Sequence, residues 1–244
     1  MRLPGLIDPH VHLRDPGHTY KEDWYSGTAS ALAGGYTCVL AMPNTSPPIT
    51  DPSSLETILD AAHGKAHCDY GIHVAGTSNN TSTVSALSDK ASGLKLYLND
   101  TFGDLRLDGL HIVNSHMSAW PDNRPVLCHA ETYMAAAVLM LAVLHRRSVH
   151  ICHVSRKEEI DLIRAAREQG LAVTCELTPH HLFMTKSDID SIKEGRYMVS
   201  PRLNTISDQN ALWQAIDDGV VDCIATDHAP HTCLLYTSDA ADEG

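Results

Sequence analysis

Eight short apolar segments, each followed by a stretch of helical character, limit the fold of this chain more than any other feature. The candidate strands are Leu6–His12, Thr37–Met42, Tyr70–Ala75, Gly93–Leu98, Pro125–Ala130, Val149–Val154, Ala172–Leu177 and Asp222–Thr226. Strands that alternate with helices predict a parallel sheet, and eight of them close a (β/α)₈ barrel. The length of 244 residues fits, because such barrels need roughly 250 residues. We therefore expect an α/β protein built as one barrel.

Residues typical of helix ends punctuate the segments between the strands. Pro52 suits a first helical position and Gly64 lies where that helix should end. Ser155 followed by Glu158 indicates a capping box. Residues 132–145 are apolar almost all round, which predicts a helix packed on both sides. The rival fold is an open doubly wound sheet, and it is disfavoured because no glycine-rich dinucleotide motif follows the first strand.

The last part of the chain does not continue the pattern. Residues 233–244, CLLYTSDAADEG, have neither the length nor the periodicity of the eighth helix that a barrel needs. The string also looks like translated sequencing-adaptor DNA. We expect residues 1–232 to form a barrel without its eighth helix and residues 233–244 to be a non-native tail. Uncovered apolar strands would make the chain poorly soluble or inactive by itself.

Composition excludes several classes of protein. The net charge is −12, which disfavours non-specific binding to nucleic acid or to an anionic membrane. The longest apolar run, residues 134–144, is far shorter than the roughly 18 residues that suggest a membrane span. Seven cysteines at irregular spacing argue against a disulfide framework and favour a reducing compartment. The sequence therefore predicts a cytoplasmic protein.

Sixteen histidines, several of them at predicted strand ends, point to metal chemistry. His10 and His12 are two residues apart on the first strand, so their side chains share one face. His129, His153 and Asp227 lie at the ends of the fifth, sixth and eighth strands. Active sites of (β/α)₈ barrels form at this carboxyl end of the strands. Such a gathering is not expected of histidines that only fill a core.

Lys95 is unusual because it lies inside an apolar strand, where an ammonium group is costly without a partner. It could extend to water or pair with an acid. Alternatively, a buried lysine held uncharged can add carbon dioxide, and the resulting carbamate has two oxygens suited to bridging two cations.

Taken together, the motifs resemble the amidohydrolase superfamily, and most closely the dihydroorotases, in the form found within animal multifunctional pyrimidine-synthesis proteins. The matching stretches are His10–Arg14, Met42–Thr45, Gly93–Asn99, His129–Glu131, Ile151–Val154, Pro179–His181 and Asp227–His231. The resemblance spans about residues 2–232 with the motifs in the same order. It implies a barrel that holds two zinc ions.

The resemblance also implies roles for individual residues. One zinc ion would be held by His10, His12 and Asp227, the other by His129 and His153, with carboxylated Lys95 as the bridge. The residues around the substrate carboxylate would be Arg14, Asn44 and His231, and a lid after the fourth strand would supply Thr101 and Phe102. Cys152 and Glu176 are candidates for an extra, third zinc site, although such a cysteine more often only fills the core.

The implied reaction interconverts N-carbamoyl-L-aspartate and L-dihydroorotate, with Asp227 moving the proton between the attacking water and the ring nitrogen. Alternatives are a hydantoinase, dihydropyrimidinase or allantoinase, and a non-catalytic scaffold relative. A simple metal-storage domain is disfavoured, because storage does not need Asp227 and Arg14 together with a bridging lysine. The resemblance further implies a homo-oligomer fused to other pyrimidine-pathway domains. One departure is Ser200, where relatives carry a polar or basic side chain near the substrate; Arg202 is close by in sequence.

Overall fold

Eight parallel strands form the centre of the molecule in the computed structural model, which describes residues 3–100, 105–191 and 198–232. The strands are β1 (Leu6–Val11), β2 (Tyr36–Ala41), β3 (Asp69–Ala75), β4 (Gly93–Tyr97), β5 (Val126–His129), β6 (Val149–Ile151), β7 (Val173–Leu177) and β8 (Cys223–Ile224). Each strand pairs with the next along the chain, in the order β1 to β8. The predicted α/β barrel architecture is confirmed.

The last strand is joined to the first just beyond their assigned ends. Val11 forms a parallel bridge with His228, and the amide nitrogen of His12 donates to the carbonyl oxygen of His228 at 2.7 Å. The carboxyl ends of all eight strands therefore open onto the same rim of the barrel.

Helices follow the strands and cover much of the outside of the barrel. Within the described part of the chain they are α1 (Trp24–Ala33), α2 (Pro52–Ala62), α3 (Leu110–Ala119), α4 (Tyr133–His145), α5 (Lys157–Glu168), α6 (Pro179–Phe183) and α7 (Ile206–Asp217), with short 3₁₀ helices at Val84–Leu87 and Lys186–Ser191. As predicted, α2 begins at Pro52, behind the N-cap residue Asp51. Gly64 has φ +76°, a left-handed conformation that suits glycine just after a helix.

The start of α5 differs from the prediction. Glu159, not Glu158, caps it, because the Glu159 carboxylate accepts hydrogen bonds from the backbone nitrogens of Ser155 and Arg156 at 3.0 and 3.1 Å. The other Glu159 oxygen accepts from the backbone nitrogen of Thr132 at 3.0 Å. One buried carboxylate thus connects the loops that follow β5 and β6.

Helix α4 was predicted to pack on both sides, and this was wrong. Its buried residues are Ala135, Val138, Leu139 and Ala142. The opposite side, with Met140, Val143 and Leu144, is exposed. An all-apolar composition cannot distinguish a helix covered on both sides from one whose outer side lacks a neighbour.

Apolar side chains between the sheet and the helices form one large core cluster. Leu6 and Ile7 of β1 and Ile224 of β8 are exposed instead. Among the described helices, none has the length and hydropathy needed to cross a membrane.

Candidate metal centre

His10 and His12 project from the end of β1 towards Asp227, which follows β8. His10 Nε2 lies 3.3 Å and His12 Nε2 3.0 Å from the same atom, Asp227 Oδ1. These three residues form one of the groups whose potential ligand atoms all lie within 4.8 Å of one another. Alternation along β1 places both imidazoles on one face, and closure of the barrel brings the aspartate to them.

The other ring nitrogen of each histidine has its own acceptor. His10 Nδ1 contacts Glu176 Oε1 on β7, and His12 Nδ1 lies 2.6 Å from Asn44 Oδ1. An acceptor at Nδ1 fixes the tautomer that leaves the Nε2 lone pair free for a metal. Glu176 and Asn44 therefore orient the two imidazoles towards a shared ion.

A second imidazole pair faces the first across the rim. His129, the last residue of β5, has Nδ1 2.9 Å from Nε2 of His153, which follows β6. The ring centres of His10 and His153 are 5.3 Å apart, so the two pairs adjoin. His153 Nδ1 is buried and has no hydrogen-bond partner, and buried His129 Nε2 has only a long contact of 3.5 Å with Glu131 Oε1. Buried imidazole nitrogens without partners fit the ligands of a metal ion.

Lys95 lies below these imidazoles with a fully buried side chain. Its Nζ is 2.9 Å from Cys152 Sγ and 5.3 Å from the ring centre of Tyr97. The surroundings thus offer the amine a thiol and an aromatic face, and no carboxylate lies within salt-bridge distance among the described residues. The first alternative for Lys95, extension to water, does not hold.

The pKa values of the potential ligands differ with their surroundings. Burial lowers the pKa of His129, and burial with the neighbouring His129 lowers that of His153 well below the usual range, so both rings are neutral. Burial would also lower the pKa of His10, but Glu176 and Asp227 raise it to about 10. For Asp227, His10 and His12 outweigh burial and hold its pKa below its ordinary value, so its carboxylate is ionised.

Two of these residues have unusual backbone conformations. His153 has φ +34° and Asp227 has φ +50°, which side chains other than glycine seldom adopt. Such positions cost about 1–3 kcal/mol each and cluster at active sites. They also end the strands early, because β6 stops at Ile151 and β8 at Ile224, before the predicted ends at Val154 and Thr226.

The donor set fits a metal ion. The ionised Asp227 carboxylate and the neutral imidazoles of His12, His129 and His153 are donors for a divalent ion of the zinc class, and His10 would lose its proton on binding one. A second group with all potential ligand atoms within 4.8 Å of one another consists of His10, Cys152 and Glu176. It includes both residues predicted for an extra zinc ion.

The residues predicted to surround a substrate lie beside His12. Arg14 Nε donates to the carbonyl oxygen of Pro230 at 3.3 Å, and Arg14 Nη2 is 3.2 Å from His231 Nε2. Asn44 is the residue that contacts His12. Thr101 and Phe102 of the predicted lid lie outside the described residues, as do residues 233–244.

Ser200 stands where relatives carry a polar or basic side chain near the substrate. Its hydroxyl donates to the carbonyl oxygen of Asp100 at 2.9 Å, so Ser200 contacts the loop that follows β4. The next polar residue, Arg202, is exposed.

Sequence reasoning missed two residues near the centre. They are His150 and Cys223, which are both half-buried and lie with Glu176 in a third group of potential ligand atoms. The signal for His150 was present in the sequence, because it precedes Cys152 by two residues and so shares its face of β6.

Comparison with known proteins shows which sequences this chain resembles. Residues 1–117 match the model of the amidohydrolase family. The chain is 51% identical over 244 residues to the multifunctional protein CAD of Squalus acanthias, covering 100% of this chain and 11% of that protein. It is 37% identical over 257 residues to the dihydroorotase of Lactobacillus gasseri, covering 93% of this chain and 60% of that enzyme. The chain thus spans only part of the relatives it matches, and the predicted resemblance to dihydroorotases is confirmed.

Solved structures agree on the fold. The L-hydantoinase of Arthrobacter aurescens superimposes with a TM-score of 0.88 at 21% identity, over 96% of this chain and 59% of that one. An inactive dihydroorotase-like domain from a CAD-like protein of Chaetomium thermophilum superimposes with a TM-score of 0.75 at 26% identity, over 91% of this chain and 63% of that one.

Proposed function

We propose that this chain, which matches the amidohydrolase family in its first half and resembles dihydroorotases along its length, is the catalytic barrel of a dihydroorotase. In this role it interconverts N-carbamoyl-L-aspartate and L-dihydroorotate. The observation that carries the proposal is the meeting, at one rim, of His10, His12 and Asp227 with His129 and His153.

The metal assignment within this proposal follows the donors. His10, His12 and Asp227 would hold one zinc ion, and His129 and His153 the other. Carboxylated Lys95 would supply an oxygen to each. Bound zinc would supply acidification of water and polarisation of a carbonyl group, and Cys152 with Glu176 remains a prediction for a third ion.

Three side chains beside the metal centre would bind the substrate or transfer a proton. Arg14 offers a planar fork to the substrate carboxylate, and its contact with the Pro230 carbonyl keeps the guanidinium beside the centre. Asn44 directs its amide oxygen to His12, which leaves its NH₂ group free to donate to the substrate. Asp227 is ionised, so its carboxylate is in the form that accepts a proton from water and returns it to the ring nitrogen.

Two alternatives remain in view. A hydantoinase-type enzyme shares the barrel and the metal donors, but its ring substrate does not require the carboxylate-binding set of Arg14, Asn44 and His231. A non-catalytic scaffold is suggested by the inactive relative. Against it, every predicted metal donor is present in this chain.

The proposal extends to the rest of the natural protein. An eighth helix that covers β8 and β1 remains a prediction. Similarity to a multifunctional protein supports fusion to other pyrimidine-pathway domains. The homo-oligomeric state and the cytoplasmic location remain predictions.

A substrate panel with one matched pair of variants tests the proposal. The full-length protein is assayed with dihydroorotate, carbamoyl-aspartate and hydantoin, and its zinc content is measured. Asp227→Asn should lower turnover at least a thousandfold, since the proton acceptor and one ligand are both changed. Asp217→Asn makes the same chemical change at an exposed helix position and should leave turnover unaltered. Preference for hydantoin, or equal activity of the two variants, would refute the assignment.

A further inference from the structure

A group of three potential ligands lies inside the barrel, one layer below the rim. His150 on β6, Glu176 on β7 and Cys223 on β8 have ligand atoms within 4.8 Å of one another. Glu176 and Cys223 are direct partners in the β7–β8 register, so their side chains share a face. His150 is two residues nearer the amino end of β6 than Cys152 and also shares its face. Three neighbouring strands therefore deliver an imidazole, a carboxylate and a thiol to one place.

The imidazole of His150 is oriented as a ligand would be. Its Nδ1 lies 2.9 Å from Thr174 Oγ1, while its Nε2 faces Glu176 Oε2 at 3.2 Å. In the metal-free chain Nε2–H donates to the Glu176 carboxylate, which can only accept. The Thr174 hydroxyl can donate to Nδ1 or accept from it, so Nδ1 can carry the proton when Nε2 binds a metal ion.

Glu176 presents one carboxylate oxygen to each of two imidazoles. Its side chain is fully buried, with Oε1 facing His10 and the backbone nitrogen of His153, and Oε2 facing His150. The structure pairs it with no lysine or arginine among the described residues. Buried carboxylates are stable when paired or bound to a metal. The oxygen that faces His150, Oε2, is not the one in contact with His10.

We propose that His150, Glu176 and Cys223 form a separate binding site for a thiophilic divalent ion of the zinc class, with solvent as the fourth ligand. Imidazole, thiolate and carboxylate are the zinc donors of proteins, and a tetrahedral ion needs four. The His150 side chain is 14% exposed, so water can reach the site. Binding forms one metal–sulfur bond, and the thiol proton passes to solvent.

This site is distinct from the group of His10, Cys152 and Glu176. That group uses the other oxygen of Glu176, and its thiol already contacts Lys95. Its histidine also belongs to the centre at the rim. The inner group uses none of the five imidazole and carboxylate donors assigned to the rim, and it shares with the rim only the positioning residue Glu176.

Cadmium absorption can test the site, because a thiolate bound to Cd²⁺ gives an ultraviolet charge-transfer band that a free thiol lacks. Burial raises the pKa of the Cys223 thiol to about 12, so the metal-free group contributes no thiolate background. The full-length protein is stripped with a chelator and titrated with CdCl₂ below one equivalent. All variants carry Cys152→Ser, which removes the neighbouring thiol that contacts Lys95.

In that background we expect one cadmium–thiolate band per chain. Adding Cys223→Ser should abolish the band. Adding Cys175→Ser should leave it unchanged, since this buried cysteine directs its thiol to the Val220 carbonyl on the other side of β7. His150→Gln keeps the thiol and should weaken the apparent Cd²⁺ affinity at least tenfold.

Several outcomes would overturn the site. They are loss of the band on Cys152→Ser alone, its persistence in Cys223→Ser, or unchanged affinity in His150→Gln. Circular dichroism of each variant identifies a folding failure, and the His150→Gln titration then decides. Loss of dihydroorotate turnover with the band intact would count against the proposed function and not against this site.

Discussion

Replacing Lys95 with methionine should have opposite effects on the metal-free and the zinc-loaded protein. The Lys95 side chain is fully buried, and its amine contacts one thiol and the face of Tyr97. A buried ammonium without an anionic partner costs several kcal/mol, and contact with an aromatic face returns about 1–2 kcal/mol. Methionine has a similar length and volume and no charge to desolvate.

The expected size of the effect follows from this difference. Without metal, Lys95→Met should raise the free energy of unfolding by about 1–3 kcal/mol, because the desolvation cost disappears while the packing is retained. With zinc at a hundred times its dissociation constant, the original protein gains roughly 2.7 kcal/mol per ion by mass action. The variant cannot form the bridging carbamate and should gain much less. The order of stability therefore reverses when zinc is added.

Urea unfolding with and without chelator measures both effects, and metal analysis reports the number of ions bound. Lys90→Met is the matched control, because the Lys90 side chain is 61% exposed and pairs with an equally accessible Glu56. It should change stability by less than about 0.5 kcal/mol in either condition. Two bound zinc ions in Lys95→Met, or a metal-free variant less stable than the original protein, would refute the reasoning.

Three further predictions concern stability, pH and substrate affinity. Arg147→Met should lower the free energy of unfolding by about 3–5 kcal/mol in urea titrations, because the buried guanidinium donates to four backbone carbonyl groups, whereas exposed Arg146→Met should change little. Burial lowers the pKa of His73 to about 3, so its share of stability is present above about pH 6.5 and is lost as the pH falls. His73→Phe should therefore lose about 3 kcal/mol less than the original protein between pH 7 and pH 4, and equal losses would contradict this. Arg14→Lys should raise KM for dihydroorotate about ten- to a hundredfold with little effect on kcat, since lysine cannot offer a bidentate fork; unchanged KM would remove Arg14 from the carboxylate site.

The barrel could be predicted because parallel strands covered on both faces appear in sequence as short apolar runs between helices. The residues that share one face of a strand could also be predicted, because alternation of side chains places His10 and His12 on the same face. Strand ends were less accurate. His153 and Asp227 adopt positive φ values that break the pairing of β6 and β8, and nothing in local sequence marks a residue that will be held in such a conformation.

Contacts between distant strands could not be predicted from local pattern. His10 and Glu176 are 166 residues apart in sequence, yet they form the contact that orients the first imidazole. The group of His150, Glu176 and Cys223 depends on the register of three strands, which is fixed only when the barrel closes. Motif spacing identifies residues of one strand face, whereas the partner of a buried charge is a property of the assembled sheet.

The strained positions and the buried carboxylate of Glu159 explain how the rim keeps its shape. His153 lies just after β6 with positive φ, and Thr132, three residues after His129, has φ +48°. Glu159 accepts hydrogen bonds from Thr132 on one loop and from Ser155 on the other. Since strained backbone persists only where the surroundings determine it, this carboxylate counteracts relaxation of both loops at once. The separation of His129 and His153 therefore depends on a residue that touches neither imidazole.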